Sequence, residues 1–255
     1  MQAIRPARAE TTPSRTTTWF TYHEVAPDSP RDAYTVGVDA FRGHLAEIAS
    51  RDRNVVITFD DGHMSQYEQA FPVLEACGVK AIFFITAGWV GKRSDYMAWR
   101  ELRELSSAGH VIQSHGWSHA YLTNCSAAKL DHEIRSSRAT LEDHLGAAVT
   151  DISMPGGRWN RRVAEACRAA GLSTMYTSDP WLGPVERQDL TQIGRFMVRR
   201  RMNARDLEAM IASKSRRFDL LRLEHHAKKT LQLVAGDRVY HKLWRWASHR
   251  KQFCW

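Results

Sequence analysis

Two adjacent carboxylates, Asp60 and Asp61, follow directly on the apolar run Val55–Phe59 and are followed in turn by Gly62 and His63. Carboxylates leaving a buried segment lose hydration and repel each other, so both stay ionised only when a cation stands beside them. A metal ion meets that need. Successive side chains diverge, so one aspartate can ligate while its neighbour faces water and takes its proton. Gly62 lets the backbone turn sharply between them and the next element. Taken alone, Asp-Asp-Gly is also what a solvated turn looks like.

A second cluster reads His115-Gly116-Trp117-Ser118-His119. Two histidines four apart around a glycine can fold inward and offer two imidazole nitrogens to one ion, the donors that zinc prefers. The chain has twelve histidines, so the spacing by itself is weak. Its weight comes from position, since both clusters end an apolar run.

The elements that must hold these groups alternate. Trp19 to His23, Val55 to Phe59, Ala81 to Thr86, Val111 to Ser114, Asp151 to Met154 and Leu172 to Thr177 read as short strands. Ser65 to Cys77, Trp99 to Ala108, Ser126 to Leu145 and Arg161 to Ala170 carry helical spacing; Leu130, Ile134, Leu141 and Leu145 form one stripe. Gly78, Gly109, Gly146 and Gly171 follow these helices, where a left-handed residue ends them. Strand–helix alternation predicts an α/β fold with parallel strands and right-handed crossovers, either an open sheet or a barrel. Both place function past the C-terminal ends of strands, where the two clusters lie.

With 255 residues and 43% hydrophobic content, the chain can bury one catalytic core. Cys77, Cys125, Cys167 and Cys254 form no CxxC pair, which argues against thiolate zinc or a disulfide framework and favours a reducing compartment.

Thr58-Phe59-Asp60-Asp61-Gly62-His63, then Ser114-His115-Gly116-Trp117-Ser118-His119, then Pro155-Gly156-Gly157 resemble the first three motifs of the polysaccharide deacetylases, carbohydrate esterase family 4. The resemblance runs from about Thr18 to Ile211 and takes in Thr21-Tyr22-His23 and Ile193-Gly194-Arg195-Phe196. It implies a distorted (β/α) barrel of about seven strands, with Asp60 as general base. Asp61, His115 and His119 would hold a divalent metal, most simply Zn2+. A backbone N–H around Gly156 would meet the oxyanion, with Pro155 and Gly157 shaping that turn. The implied reaction is removal of acetyl from an N-acetylated sugar of a cell-surface polysaccharide or glycoconjugate intermediate. Two other readings stay open: an amidase cutting another non-peptide C–N bond, and a catalytically impaired barrel that binds metal and glycan.

Departures from the family pattern set further expectations. The third motif usually has an arginine two residues before its proline; this chain has Ser153, and Arg158 is the candidate substitute. Asn160 reads as the N-cap of the following helix. Trp181 is the candidate tryptophan of the substrate wall. His225 and His226, or water, are the candidates for the acid that protonates the amine; His63 and His23 are further candidates for the pocket.

The expected organisation is an N-terminal extension over 1–17, a barrel over 18–213 and a basic helical segment over 214–255. From Lys214 onward, eleven Lys or Arg stand against three Asp or Glu, an excess equal to the whole net charge of +8. With Trp244, Trp246 and Trp255 the segment reads as helices with basic faces, a candidate for peripheral contact with an anionic membrane. Nucleic acid is not an expected partner, for the charge comes without a recognition motif. No run has the length of a leader or a membrane span, so a cytoplasmic protein, with membrane association as the variant, is expected.

Overall fold

The apolar runs become the strands of one sheet because each is short, buried and bounded by a helix that packs back on it. In chain order the elements are β1 (Thr18–Tyr22), β2 (Glu24–Ala26), β3 (Thr35–Gly37), α1 (Val38–Ala49), β4 (Val55–Phe59), α2 (Phe71–Ala76), β5 (Ala81–Ile85) and α3 (Trp99–Ser107). Next come β6 (Val111–Ser114), α4 (Ala127–Leu145), β7 (Asp151–Ser153), α5 (Arg161–Ala169) and β8 (Thr174–Thr177). The series ends with β9 (Val185–Arg187), β10 (Leu190–Gly194), β11 (Phe196–Met197) and α6 (Ala204–Ile211). The computed structural model describes residues 17–27, 33–49, 55–179, 183–212 and 223.

The strands hydrogen-bond in the order β11-β1-β4-β5-β6-β7-β8-β10-β9, every pair parallel except β9 with β10. Such an order is what repeated strand–helix–strand crossovers produce. The fold is α/β, and its barrel character comes from one short segment. Gly194 on β10 pairs with Thr177 of β8, while Phe196 on β11 pairs with Phe20 of β1 at the opposite end of the sheet. A single residue, Arg195, separates the two pairings. The chain therefore carries its last strand from one edge of the sheet to the other, a distorted barrel of seven strand positions with the seventh broken at Arg195.

Both faces of the sheet are aromatic. On the helix-facing side Phe59 and Phe83 pair across β4 and β5, stack at 4.8 Å and meet Phe41 of α1, while on the inner face Trp19, Phe84, Tyr176 and Ile193 form a separate cluster. Outside the sheet, Leu130 and Ile134 of α4 and Val163 and Cys167 of α5 pack with Ile152 and Met175. Burying an apolar side chain of this size stabilises by roughly 1.5–3 kcal/mol, so this stripe fixes which helix face meets the sheet. Asn160 caps α5 as the sequence predicts, its Oδ1 accepting from Val163 N at 3.0 Å.

The six expected strands appear as β1, β4, β5, β6, β7 and β8. The small sheet β2–β3, helix α1 and strands β9 to β11 had no counterpart in the sequence reading; β2, β3, β9 and β11, at two or three residues, are too short to show a period, which does not account for the 12 residues of α1 or the five of β10. The chain forms two compact units, Met1–Leu207 and Glu208–Trp255. In the second, beyond α6 and its exit, only Leu223 is described; it is helical and exposed. The helices expected beyond Asp219, with His225, His226, Trp244, Trp246 and Trp255, lie outside the described residues. So do Trp181 and all but Thr17 of the 1–17 extension. Among the described residues no helix is long and apolar enough to cross a membrane.

Candidate active site and metal centre

Asp61, His115 and His119 converge, each offering one ligand atom, with all three atoms within 4.8 Å of one another. Asp61 follows β4, and His115 follows β6, two strand positions away. Asp61 Oδ1 lies 3.2 Å from Nε2 of His115 and 3.2 Å from Nε2 of His119. Two donors each about 2.1 Å from one tetrahedral ion would stand roughly 3.4 Å apart, so the spacing is that of ligands sharing a cation. Asp61 has φ 78° and His119 φ 59°, left-handed values that L-residues avoid. Two of the three converging residues thus hold costly backbone conformations, as functional sites do.

The donor atoms also fit a cation chemically. His115 Nδ1 donates to Ser153 O at 2.9 Å, which turns the Nε2 lone pair of a neutral ring toward Asp61. Asp61 Oδ1 is buried and receives no hydrogen bond, although both Nε2 atoms are near. Lone pairs facing one another repel unless positive charge sits between them. The titration tendencies agree. Burial pushes the Asp61 carboxyl up, yet the two imidazoles hold it well below the usual carboxylate range. Burial opposes a charged His115, but the carboxylates of Asp60 and Asp61 draw its pKa upward. The centre attracts a positive charge, and a metal ion or a proton can supply it.

Asp60 faces the other way. Its Oδ1 accepts from Arg195 Nη1 at 2.7 Å, and its Oδ2 accepts from Arg195 Nη2 at 2.7 Å and Ser153 Oγ at 3.0 Å. Burial raises the Asp60 pKa, but the Arg195 guanidinium and the nearby His115 overcome it and hold the carboxyl at about 2. Asp60 is therefore ionised throughout the neutral range. Arg158, a candidate substitute for the missing charge at Ser153, does not fill that place: its guanidinium lies over the Tyr121 ring at 4.5 Å, and the cation on Asp60 is Arg195. Arg195 was missed as a functional residue because it stands 135 residues from its partner. The available signal was a charge inside the apolar run Ile193-Gly194-Arg195-Phe196.

The loop between the two histidines is held from α4. Glu133, 1% exposed, accepts from Trp117 N at 2.9 Å and Ser118 N at 2.8 Å, and the Ser118 hydroxyl donates to its other oxygen. Truncation leaves three donors unpaired beside a ligand, and such supporting contacts are worth about 10–100-fold in metal affinity. Glu133→Ala is expected to weaken metal binding by that order in a competition titration. Glu133→Gln should lose much less, because its amide oxygen can still face both N–H groups while its NH2 turns to Ser118 Oγ. Equal affinity in Glu133→Ala and the parent would remove the role.

Pro155, Gly156 and Gly157 form the single helical turn that follows β7. Gly156 has φ 63°, and a Cβ there would stand 2.4 Å from Tyr121 Cε1; a Cβ on Gly157 would stand 2.4 Å from Ser178 Oγ. Gly157 N donates to Met154 O at 2.7 Å, which leaves the Gly156 N–H as the candidate oxyanion donor of this turn. The expected wall residue Trp181 is not described. A described aromatic does stand at the centre: Trp89 lies 5.5 Å from the His119 ring and 4.6 Å from Tyr96. His23 follows β1, with its ring 5.5 Å from Tyr34 and its Nδ1 buried without a hydrogen-bond partner among the described residues. His63 is tied to Ser65 and packs edge-on against Tyr96, outside the three converging ligands.

The sequence profile of the Polysaccharide deacetylase family matches residues 47–175. The chain is 30% identical over 142 residues to a chitooligosaccharide deacetylase of Rhizobium leguminosarum bv. trifolii, covering 54% of this chain and 64% of that protein. It is 31% identical over 134 residues to the peptidoglycan-N-acetylglucosamine deacetylase PgdA of Listeria monocytogenes, covering 52% of this chain and 28% of that protein. These matches span less than two thirds of either relative. Among solved structures, the Streptococcus pyogenes deacetylase PplD superposes with TM-score 0.66 at 17% identity, over 76% of this chain and 97% of that one. IcaB from Ammonifex degensii gives TM-score 0.64 at 24% identity, over 76% and 96%. At these identities the superpositions establish the shared fold.

Proposed function

This chain belongs to the polysaccharide deacetylase family, and on that premise we propose that it is a metal-dependent hydrolase removing acetyl from an N-acetylated sugar of a cell-surface polysaccharide or glycoconjugate intermediate. The observation that carries the reading is the convergence of Asp61, His115 and His119 within 4.8 Å, beside a separate carboxylate, Asp60, that is ionised and not among those ligands. A divalent ion held by one carboxylate and two imidazoles, zinc by that donor set, would supply Lewis acidity toward the acetyl carbonyl and lower the pKa of water at the site.

The chain's own groups then have distinct tasks. Asp60 takes the proton of the attacking water, for which it must be charged and fixed in direction; the same proton is available to the departing nitrogen, so the products are acetate and a free amine. The Gly156 N–H stands in a turn whose shape excludes side chains, suited to the oxyanion. Trp89 and Tyr96 stand beside His119 as the aromatic candidates for a sugar contact, with the Arg93 guanidinium over their rings at 4.3 and 5.0 Å.

The impaired-barrel reading rests on two departures, the serine at 153 and the lack of an assigned acid for the amine. The buried Arg195–Asp60 pair answers the first by supplying the charge from elsewhere, while the acid candidates His225 and His226 lie outside the described residues. The test is acetate release from N-acetylated oligosaccharides before and after chelation. Chelated protein is expected to lose activity and regain it on adding Zn2+; full activity in protein shown to be metal-free would overturn the proposal.

A further inference from the structure

We propose that Arg195 is the positioning residue of Asp60, and that Ser153 and Arg195, a short side chain from β7 and a long one from the break between β10 and β11, do together what an arginine on β7 would do alone. The inference rests on Asp60 acting as the base.

A carboxylate that must take a proton in one direction has to be stopped from rotating about its own bonds. Paired, parallel N–H···O bonds from a planar guanidinium do this, and a single ammonium cannot. Arg195 makes that pair at 2.7 Å on both oxygens. The guanidinium is fixed in its turn. Nη1 also donates to Thr58 Oγ1 at 3.0 Å, and Nη2 to Ser153 Oγ at 2.7 Å. Thr58 is itself anchored, its hydroxyl donating to Phe20 O at 3.0 Å. The guanidinium carbon lies 5.2 Å from the Phe84 ring and 5.7 Å from the Tyr176 ring, and the Arg195 side chain is wholly buried.

Ser153 is what makes room. Its hydroxyl donates to Asp60 Oδ2 at 3.0 Å while accepting from Arg195, and its carbonyl orients His115. A long cation at 153 would occupy the volume the guanidinium fills. The backbone accounts for the direction of approach. Residues 194 and 196 pair with opposite neighbours, and Arg195 N donates to Thr177 O at 3.1 Å, so the side chain leaves from the break in the closing strand. As a stability device a buried ion pair is inefficient, since apolar residues of similar volume usually do as well. Its place on both oxygens of the base therefore speaks for catalysis. Arg195 also lies outside the segment that carries the family match, residues 47–175.

The experiment uses the full chain in four forms: parent, Arg195→Met, Arg195→Lys, and the exchange Ser153→Arg/Arg195→Ser. Each is measured for kcat, KM, metal content and folding. Misplacing a reacting group costs on the order of 10²-fold. Arg195→Met is expected to lose about that much in kcat, with KM within about twofold and metal content unchanged; Arg195→Lys should fall between it and the parent. The exchange is expected to recover about tenfold over Arg195→Met, because the guanidinium is returned from β7. A folded, metal-loaded Arg195→Met with the parent kcat would overturn the inference, as would loss of metal and kcat together. If Arg195→Met does not fold, a folded, metal-loaded exchange variant with no activity overturns it instead. Should Asp60→Asn itself remain active, the assignment of the base fails first; an inactive Asp60→Asn beside an unimpaired Arg195→Met rejects Arg195 alone.

Discussion

Replacing Asp60 with asparagine is expected to lower acetate release by about 10²–10⁴-fold, the usual contribution of a positioned general base, with bound metal unchanged. The separation of the two readouts follows from geometry. Asp60 is not among the converging ligand atoms; both its oxygens are turned to Arg195 and Ser153. Asparagine keeps the volume and one oxygen, but it cannot take a proton from water. The substitution also leaves the Arg195 guanidinium buried without its counter-charge. Breaking one side of a buried pair costs about 3–5 kcal/mol, so a lower midpoint in denaturant should accompany the loss of rate. Undiminished acetate release from this variant would remove Asp60 from the chemistry.

His115→Ala is expected to lose metal and activity together. His115 is 1% exposed, and its Nδ1 bond to Ser153 O presets the ring, so the alanine variant loses a ligand already fixed in direction. Asp61 and His119 would be left as a two-residue site, and equilibrium dialysis should show a metal content well below stoichiometric. Retention of one tightly bound ion by His115→Ala would move the metal centre elsewhere. The parent protein should show a linked pH effect. Burial alone would lower the His115 pKa, but Asp60 and Asp61 outweigh it and raise it. A raised pKa means that the metal-free ring holds its proton to higher pH than an ordinary histidine. Binding must displace that proton, so apparent metal affinity falls as pH drops through the raised pKa and recovers above it. Titrations at descending pH check the sign.

The strands β1, β4 and β5 were legible as apolar and aromatic runs of five residues, whereas β6, β7 and β8, three or four residues with polar members, were legible from the helical spacing on either side of them. Strands β9 and β11 were not, since a two-residue pairing such as β11 has no period of its own and forms against the edge that β1 offers. Glu133 illustrates a signal present but unread. It stands next to Ile134 in the apolar stripe of α4, where a carboxylate is too costly to bury unless donors meet it. The sequence does not say what those donors are; the structure supplies the amides of residues 117 and 118.

The kind of chemistry to expect was therefore legible in local order alone. Asp60-Asp61 and His115 to His119 each stand where an apolar run stops, because chain direction decides that strand ends share one rim of a parallel sheet. What folding alone decided is which group keeps the base in place. The distance between Arg195 and Asp60 is set by strand pairing across β1, β4 and β8; pairings of that range are properties of the assembled sheet, and residue spacing along the chain carries no record of them.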